Sequence, residues 1–498
     1  MSLLSFFKKR PVQHLPPLTL HNTLSGKTEP FMPLFLHTVT MYNCGPTPYD
    51  QQHIGNLVPP ILADIIRRTL ELYGYKVKQV MNITDFGHLS GDNDGDPNIG
   101  DDKMTRGLKR DGLAPTMANM RKLAEKYTEI FLADVEQLGV NTKRVLYPRA
   151  SDYIPEQIAL IKSLEQKGYA YEIDDGIYYD TSKFKDYGKL GNINLAGQQE
   201  GARVEENREK KNSRDFVLWK KSRELGWTSP WGKGFPGWHI ECTAMIFKLL
   251  GKQIDIHTGG IEHIPIHHNN EIAQAEALTG KQYVRYWLHN AHITIEGKKI
   301  SKSLGNTIYL HNIVDRGFSP LAFRYWYLTG HYRTPTNFTW DAIEGANVAL
   351  GRLRRAYLET TTKPAKRAAA TDPKTPGAAD TFAADFYAAL ANDLDTPRAL
   401  ARVWELVKDS TISPEEKRAG LLLADRVLGL GFSDARPSAT IKVIEQSDLP
   451  SDVQTLVAQR EAARKEKDFT KADELRKKID EAGYEIKDSA EGPELSRK

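Results

Sequence analysis

The stretch that most narrows the fold lies near the N-terminus, over residues 38–83. Residues 38–42, Thr-Val-Thr-Met-Tyr, favour a strand, which turns through Cys44, Gly45, Pro46 and Thr47. Residues 61–73 place apolar side chains at helical spacing, and residues 76–83 return to a strand. A strand, helix and strand of this length form a crossover unit, and a crossover implies parallel strands. A second α/β stretch, residues 237–306, predicts a helix after Pro265 and strands near Tyr286 and Ile293. The expected class is α/β, with a Rossmann-type parallel sheet.

Around these units the pattern is more ordinary. Residues 18–35 suggest short strands and turns, and helices are expected over 117–138 and 154–167. Residues 169–179 form a hairpin pattern with Asp174-Asp175-Gly176 at its turn. Residues 183–212 are polar and irregular, as in an insertion. Beyond Asp315 the pattern is helical throughout, with a Lys-, Ala-, Thr- and Pro-rich linker at 361–377. A charged helical pattern then covers 452–482. The acidic, Gly-rich segment 92–102 has the outline of a calcium loop. However, Pro97 stands where that loop needs Gly, and Lys103 where it needs a bidentate acid. It is read as a solvated loop.

Composition sets the outer bounds. A chain of 498 residues exceeds one ordinary domain. No run of 18 apolar residues is present, and the first 17 residues lack the apolar core of a secretory signal. The expected location is cytoplasmic, with no membrane partner. A net charge of +4 permits a nucleic-acid partner without requiring one. Cys44 and Cys242 are the only cysteines, and disulfides are rare in the cytosol.

Three constellations carry chemistry. His53-Ile54-Gly55-Asn56 follows the first strand and opens a helix, where backbone and imidazole can approach a phosphate. By itself such a tetrapeptide is most often a turn with a surface histidine. Lys299-Ile300-Ser301-Lys302 sets two lysines three apart among serines and a glycine, suited to clamping a departing pyrophosphate. A solvated basic loop is the plain alternative. The two motifs stand about 240 residues apart, one after each half of the α/β pattern, which suits one sheet edge. Finally, His267 and Glu271 share a helix face at i and i+4, and with Cys44 and Cys242 they make a tetrahedral zinc set. Spacing alone favours core cysteines and a helix-surface histidine.

Residues 41–50, 53–56, 82–85, 236–245, 267–274 and 299–306 together, and in this order, resemble the cysteinyl-tRNA synthetases. The resemblance runs from about residue 18 to 341 and continues faintly through 392–397 and 467–473. It implies a catalytic domain over 18–335 with an insertion at about 120–230. A helical tRNA-binding bundle over 336–432 and a small anticodon-binding domain over 433–498 follow. Cys44, Cys242, His267 and Glu271 fall at the family's zinc positions, one ion per subunit. Thr84 and Trp238 fall at the amino-acid pocket, and His53, Asn56, Lys299 and Lys302 at the nucleotide motifs. Lys302 is the lysine expected on ATP.

The chain departs from the family pattern at several points. Ile300 replaces a methionine, Leu57-Val58 an alanine and arginine, Glu262 an aspartate near the pocket, and Asn269 a glutamate. None is a ligand position. The implied partners are L-cysteine, ATP with Mg²⁺, and tRNA-Cys, and the implied state is a monomer. Arg460, Arg464, Lys465, Lys467 and Lys471 are expected on a helix that either meets the anticodon arm or forms a solvated charged face. Two competing readings share the motifs: a ligase joining cysteine to an amino sugar, and a non-catalytic RNA-binding descendant. The first has no need of an anticodon-reading tail, and intact His53, Lys299 and Lys302 oppose the second.

Overall fold

A computed structural model describes residues 15–86, 103–193, 209–301, 304–362, 378–435, 449–466, 468–489 and 492–497. The predicted loop 92–102, Lys302 and Lys467 lie outside the described residues. At the centre is a parallel five-stranded sheet. Its order is Val284–Asn290, Ile254–Gly260, Thr38–Asn43, Lys76–Met81, Val145–Leu146. Counted along the chain this reads 5-4-1-2-3, the doubly wound order. The order reverses between Thr38–Asn43 and Ile254–Gly260, the switch point beyond whose carboxyl ends open α/β sheets bind ligands. Asp255 sets the register across that point by accepting from the Thr40 N–H at 2.8 Å and hydroxyl at 2.7 Å.

The helix Ile54–Leu72 covers the sheet with Leu57, Val58, Ile61, Leu62, Ile65, Ile66 and Leu70, all buried. It starts at residue 54, earlier than the predicted 61, and runs through Pro59 and Pro60. Each proline removes an intrahelical hydrogen bond, but the burial of that apolar face outweighs the loss. Two elements of the second half escaped prediction: the helix Trp238–Leu249 and the strand Ile254–Gly260.

The insertion is an antiparallel sheet, with Ala170–Ile173, Gly176–Tyr179, Phe216–Lys221, Gly232–Pro236 and Trp227–Ser229 in that order. It shares a core with the helix Ile154–Gln166 through Ile161, Leu164, Tyr179 and Trp219. Past Asp315 the helices are Pro320–Leu328, Trp340–Thr362, Ala378–Ala391, Thr396–Lys408 and Pro414–Leu428. The expectation of helix throughout is corrected at Thr336–Phe338, a strand parallel to Ile293–Ile295.

A buried ionic hub ties these parts together. Asp64 and Arg324 are both fully buried, with Nη2 2.7 Å from Oδ2. Arg324 also donates to the carbonyls of Leu428 at 2.6 Å and Leu138 at 3.1 Å. Arg68 reaches Asp64 at 2.7 Å, and Arg67 bonds its other oxygen. Burial alone would raise the Asp64 carboxyl, but the three guanidinium groups hold it below its ordinary value.

Residues 434–498 form a separate compact unit. Its core is Leu449, Val453, Val457, Ile479, Tyr484, Ile486 and Leu495. The single helix predicted over 452–482 is two, Ser451–Lys465 and Phe469–Glu481, and a hairpin, Tyr484–Ser489 with Gly492–Arg497, follows. Asp468 caps the second helix by accepting from the Lys471 N–H at 3.1 Å. Arg460 is corrected as an RNA-facing residue: it is 2% exposed and paired with Glu461 at 2.8 Å.

Candidate metal centre and nucleotide motifs

Cys44 is the first residue past the strand Thr38–Asn43, and its N–H donates to the Thr258 carbonyl at 3.0 Å. Gly45 follows because the chain presses on Asn82 here; a Cβ would sit 1.7 Å from the Asn82 carbonyl oxygen. Cys242 lies on the helix Trp238–Leu249, and His267 and Glu271 on the helix His267–Thr279. The structure brings all four together. One ligand atom from each of Cys44, Cys242, His267 and Glu271 lies within 4.8 Å of the other three. His267 Nε2 is 3.0 Å from Glu271 Oε1 and 3.7 Å from Cys242 Sγ. A tetrahedral zinc ion separates its ligand atoms by about 3.3–3.8 Å, given bonds of about 2.0–2.3 Å. The donor set and its spacing fit that ion.

The electrostatics suit a cation at Cys44 and Glu271, whereas Cys242 and His267 must release protons to bind one. Burial pushes the Cys44 thiol up, but hydrogen bonds with Cys242 and His267 and nearby imidazole charge bring it down to about 6. Cys242 is pushed up by its bond to Cys44 and by burial. Burial would raise Glu271, yet His257 and His267 hold it down to about 2. His267, which burial would lower, is raised to about 10 by Cys44 and Glu271. Thiolate character at Cys44 is what a metal requires.

The nucleotide motifs meet across the same edge. His53 caps the helix Ile54–Leu72, its Nδ1 accepting from the Gly55 N–H at 3.1 Å. An accepting Nδ1 places the ring proton of a neutral imidazole on Nε2, as a donor. Asn56 is exposed in the first turn, bonded to Gln52 at 2.7 Å. The Ile54 N–H donates to the Ile308 carbonyl at 2.9 Å, just past the lysine loop. A Cβ on Gly55 would meet Ile300 Cδ1 at 2.9 Å, so the two motifs touch. Asn306 braces the loop by accepting from Ser301 N–H at 2.9 Å and donating to Lys299 O at 3.0 Å. Lys299 is exposed.

Residues 30–348 match the family model of the class I (C) tRNA synthetase catalytic domain, and 446–492 that of the cysteinyl-tRNA ligase anticodon binding domain. Cysteine–tRNA ligase 1 of Burkholderia lata is 42% identical, covering 96% of this chain and 97% of the relative. The chain belongs to the cysteinyl-tRNA synthetases. Cysteine–tRNA ligase of Thermus thermophilus is 38% identical, over 96% of the chain and 98% of the relative. A solved Mycobacterium tuberculosis methionyl-tRNA synthetase in complex with methionyl-adenylate has a TM-score of 0.54 at 14% identity. It covers 85% of this chain and 96% of its own, and shows the fold alone.

Within this synthetase fold, Trp238 stacks on His267 with centroids 4.3 Å apart. Thr84 is buried, donating to Glu241 at 2.9 Å and accepting from Asn82 at 3.2 Å. Sequence reasoning assigned no role to Glu241, whose carboxyl is pushed well above its ordinary value by burial, against the hydrogen bond from Thr84. It also missed His257 and His289, each in a strand of the sheet. A histidine within each strand, His257 amid polar neighbours and His289 next to the carboxyl end, was the available signal. Asn269 is buried in a structural role, donating to the Ile264 carbonyl at 2.7 Å and to Leu190 at 3.1 Å. Glu262 is half-exposed, 3.5 Å from His292.

Proposed function

We propose that the chain is a cysteine–tRNA ligase acting as a cytoplasmic monomer. It activates L-cysteine with ATP and passes the cysteinyl group to tRNA-Cys. The carrying observation is the convergence of Cys44, Cys242, His267 and Glu271 beside the strand pair where the sheet order reverses. One zinc ion per chain, held by these four, would supply a soft seat for the substrate's sulfur. Cysteine and serine differ by one atom, and an apolar pocket separates near-isosteres by only about 10–200-fold. Accurate charging asks for roughly 10⁴, about 5.5 kcal/mol. A hydroxyl stays protonated and ligates poorly, so no editing domain is required.

The remaining work falls to positioning and charge. Trp238 and Thr84 are assigned to the amino-acid pocket. A carboxylate oxygen of cysteine attacks the α-phosphorus of ATP, delivered with Mg²⁺, and the bond to the leaving pyrophosphate breaks in line. The His53 Nε2–H and the Asn56 amide donate to the phosphates, while Lys299 and Lys302 take up the pyrophosphate charge. The terminal ribose hydroxyl of the tRNA then attacks the carbonyl and AMP leaves. Exposed Lys471, Arg476, Lys477 and Lys478 on the helix Phe469–Glu481 supply charge for RNA.

ATP–pyrophosphate exchange across the twenty amino acids, beside metal analysis, tests this reading. Exchange driven by cysteine alone is expected; serine competing equally would sink it. Removing residues 434–498 should abolish tRNA charging and leave exchange intact. Exchange without any tRNA charging by the full-length chain would favour a different acceptor.

A further inference from the structure

Two members of the ligand set, Cys44 and Glu271, also belong to another. Cys44, His257, His268 and Glu271 likewise bring one ligand atom each to within 4.8 Å of one another. Cys44 Sγ is 3.2 Å from His268 Nε2, and Glu271 Oε2 is 3.0 Å from His257 Nε2. We propose that this imidazole-rich set is a second seat for a first-row divalent cation, an inference resting on the metal-centre reading above. Because the seats share two ligands, they hold one ion between them.

The surroundings are built for this role. His268 Nδ1 lies 2.8 Å from His289 Nε2, and His289 Nδ1 lies 2.8 Å from Thr23 Oγ1. That chain fixes the His268 ring with Nε2 toward Cys44, the outer support that metal-bound imidazoles carry. His257 is fully buried and held face to face by Trp287, with centroids 4.7 Å apart and planes 17° apart. Tyr283 steadies the shared carboxylate, its hydroxyl 3.3 Å from Glu271 Oε2.

Charge and softness separate the seats. A divalent ion with one thiolate, one carboxylate and two neutral imidazoles makes a neutral buried complex. The Cys44–Cys242–His267–Glu271 set leaves one negative charge, which costs more to bury. Thiolates select zinc most strongly, whereas imidazole also suits cobalt and nickel. The second seat therefore holds the ion when Cys242 or His267 is lost, and takes harder ions with less penalty.

Cobalt titration of metal-stripped full-length protein tests this, read by sulfur-to-cobalt absorption and by bound cobalt per chain after gel filtration. Cys242→Ser and His267→Gln each remove a ligand from the first seat only. Both variants should keep about one cobalt per chain, and Cys242→Ser should show the band of a single thiolate. Adding His268→Asn to Cys242→Ser should weaken cobalt binding by about 10–100-fold or more. Loss of cobalt from both single variants, or no further loss in the double variant, overturns the second seat. Circular dichroism reports folding, and His267→Gln carries the test should Cys242→Ser not fold. Wild-type protein that binds no cobalt or zinc would instead overturn the metal-centre reading itself.

Discussion

Two buried polar clusters flank the first crossover of the sheet, one at Cys44 where the strand ends and one at Asp64 in the helix that follows. At Asp64 a carboxylate faces Arg324, Arg67 and Arg68, so opposite charges meet. At the other cluster, sulfurs, imidazole nitrogens and a carboxylate face one another, and lone pairs outnumber the protons between them. The first cluster is complete with protein atoms. The second is arranged so that a cation completes it. Burial of ionisable groups is common to both; the pattern of donors and acceptors tells a brace from a site.

That contrast breaks first, if it breaks at all, at Cys44. Cys44→Ser should cut cysteine activation by about 50–1,000-fold or more, the share of the roughly 10⁴-fold selection that the pocket leaves to the cation. Exchange assays and metal content check this together; an active, metal-free variant would erase the distinction. Asp64→Asn should behave oppositely, losing about 3–5 kcal/mol of stability in urea unfolding while keeping its metal. Its pH dependence has a definite sign. Asp64 is held below its ordinary value of 3.8, so its contribution is full above that pH and fades as pH falls through the lower folded value. The stability gap between wild type and Asp64→Asn should therefore shrink below pH 3.8.

Two smaller effects sharpen the boundary of the site. Gly55→Ala would force a Cβ to 2.9 Å from Ile300 Cδ1, and about 10²-fold loss in adenylation rate is expected with metal content unchanged. Ile300→Val in the same chain should recover part of that rate. Thr84→Val removes one hydrogen bond from Glu241 and should cost about 0.5–1.5 kcal/mol in unfolding experiments.

The parallel sheet was legible in its β-rich runs, and the four residues of the candidate metal centre only through the ordered motifs of the family resemblance, since spacing alone favoured a plain core. What stayed hidden had local reasons. Ile254–Gly260 contains Asp255, His257 and Thr258, which look polar until Thr40 and Glu271 supply their partners. The helix Trp238–Leu249 is buried continuously from His239 to Ile246, so no polar face marks its period. Pro59 and Pro60 masked the true start of the first long helix. Arg460 looked like one more surface cation, and only its burial beside Glu461 distinguishes it from Lys471. The second ligand set was invisible because His257 and Cys44 are brought together only by strand pairing.

The hydrogen bond from the Cys44 N–H to the Thr258 carbonyl has a consequence for biogenesis. A nascent chain cannot assemble the pocket until Glu271 has left the ribosome and two strands far apart in the gene have found each other. Loading with metal is then a late event, on a sheet that has already closed. Starving a cell of the ion should leave a folded, empty apoenzyme waiting for cargo, not a tangle of half-made protein.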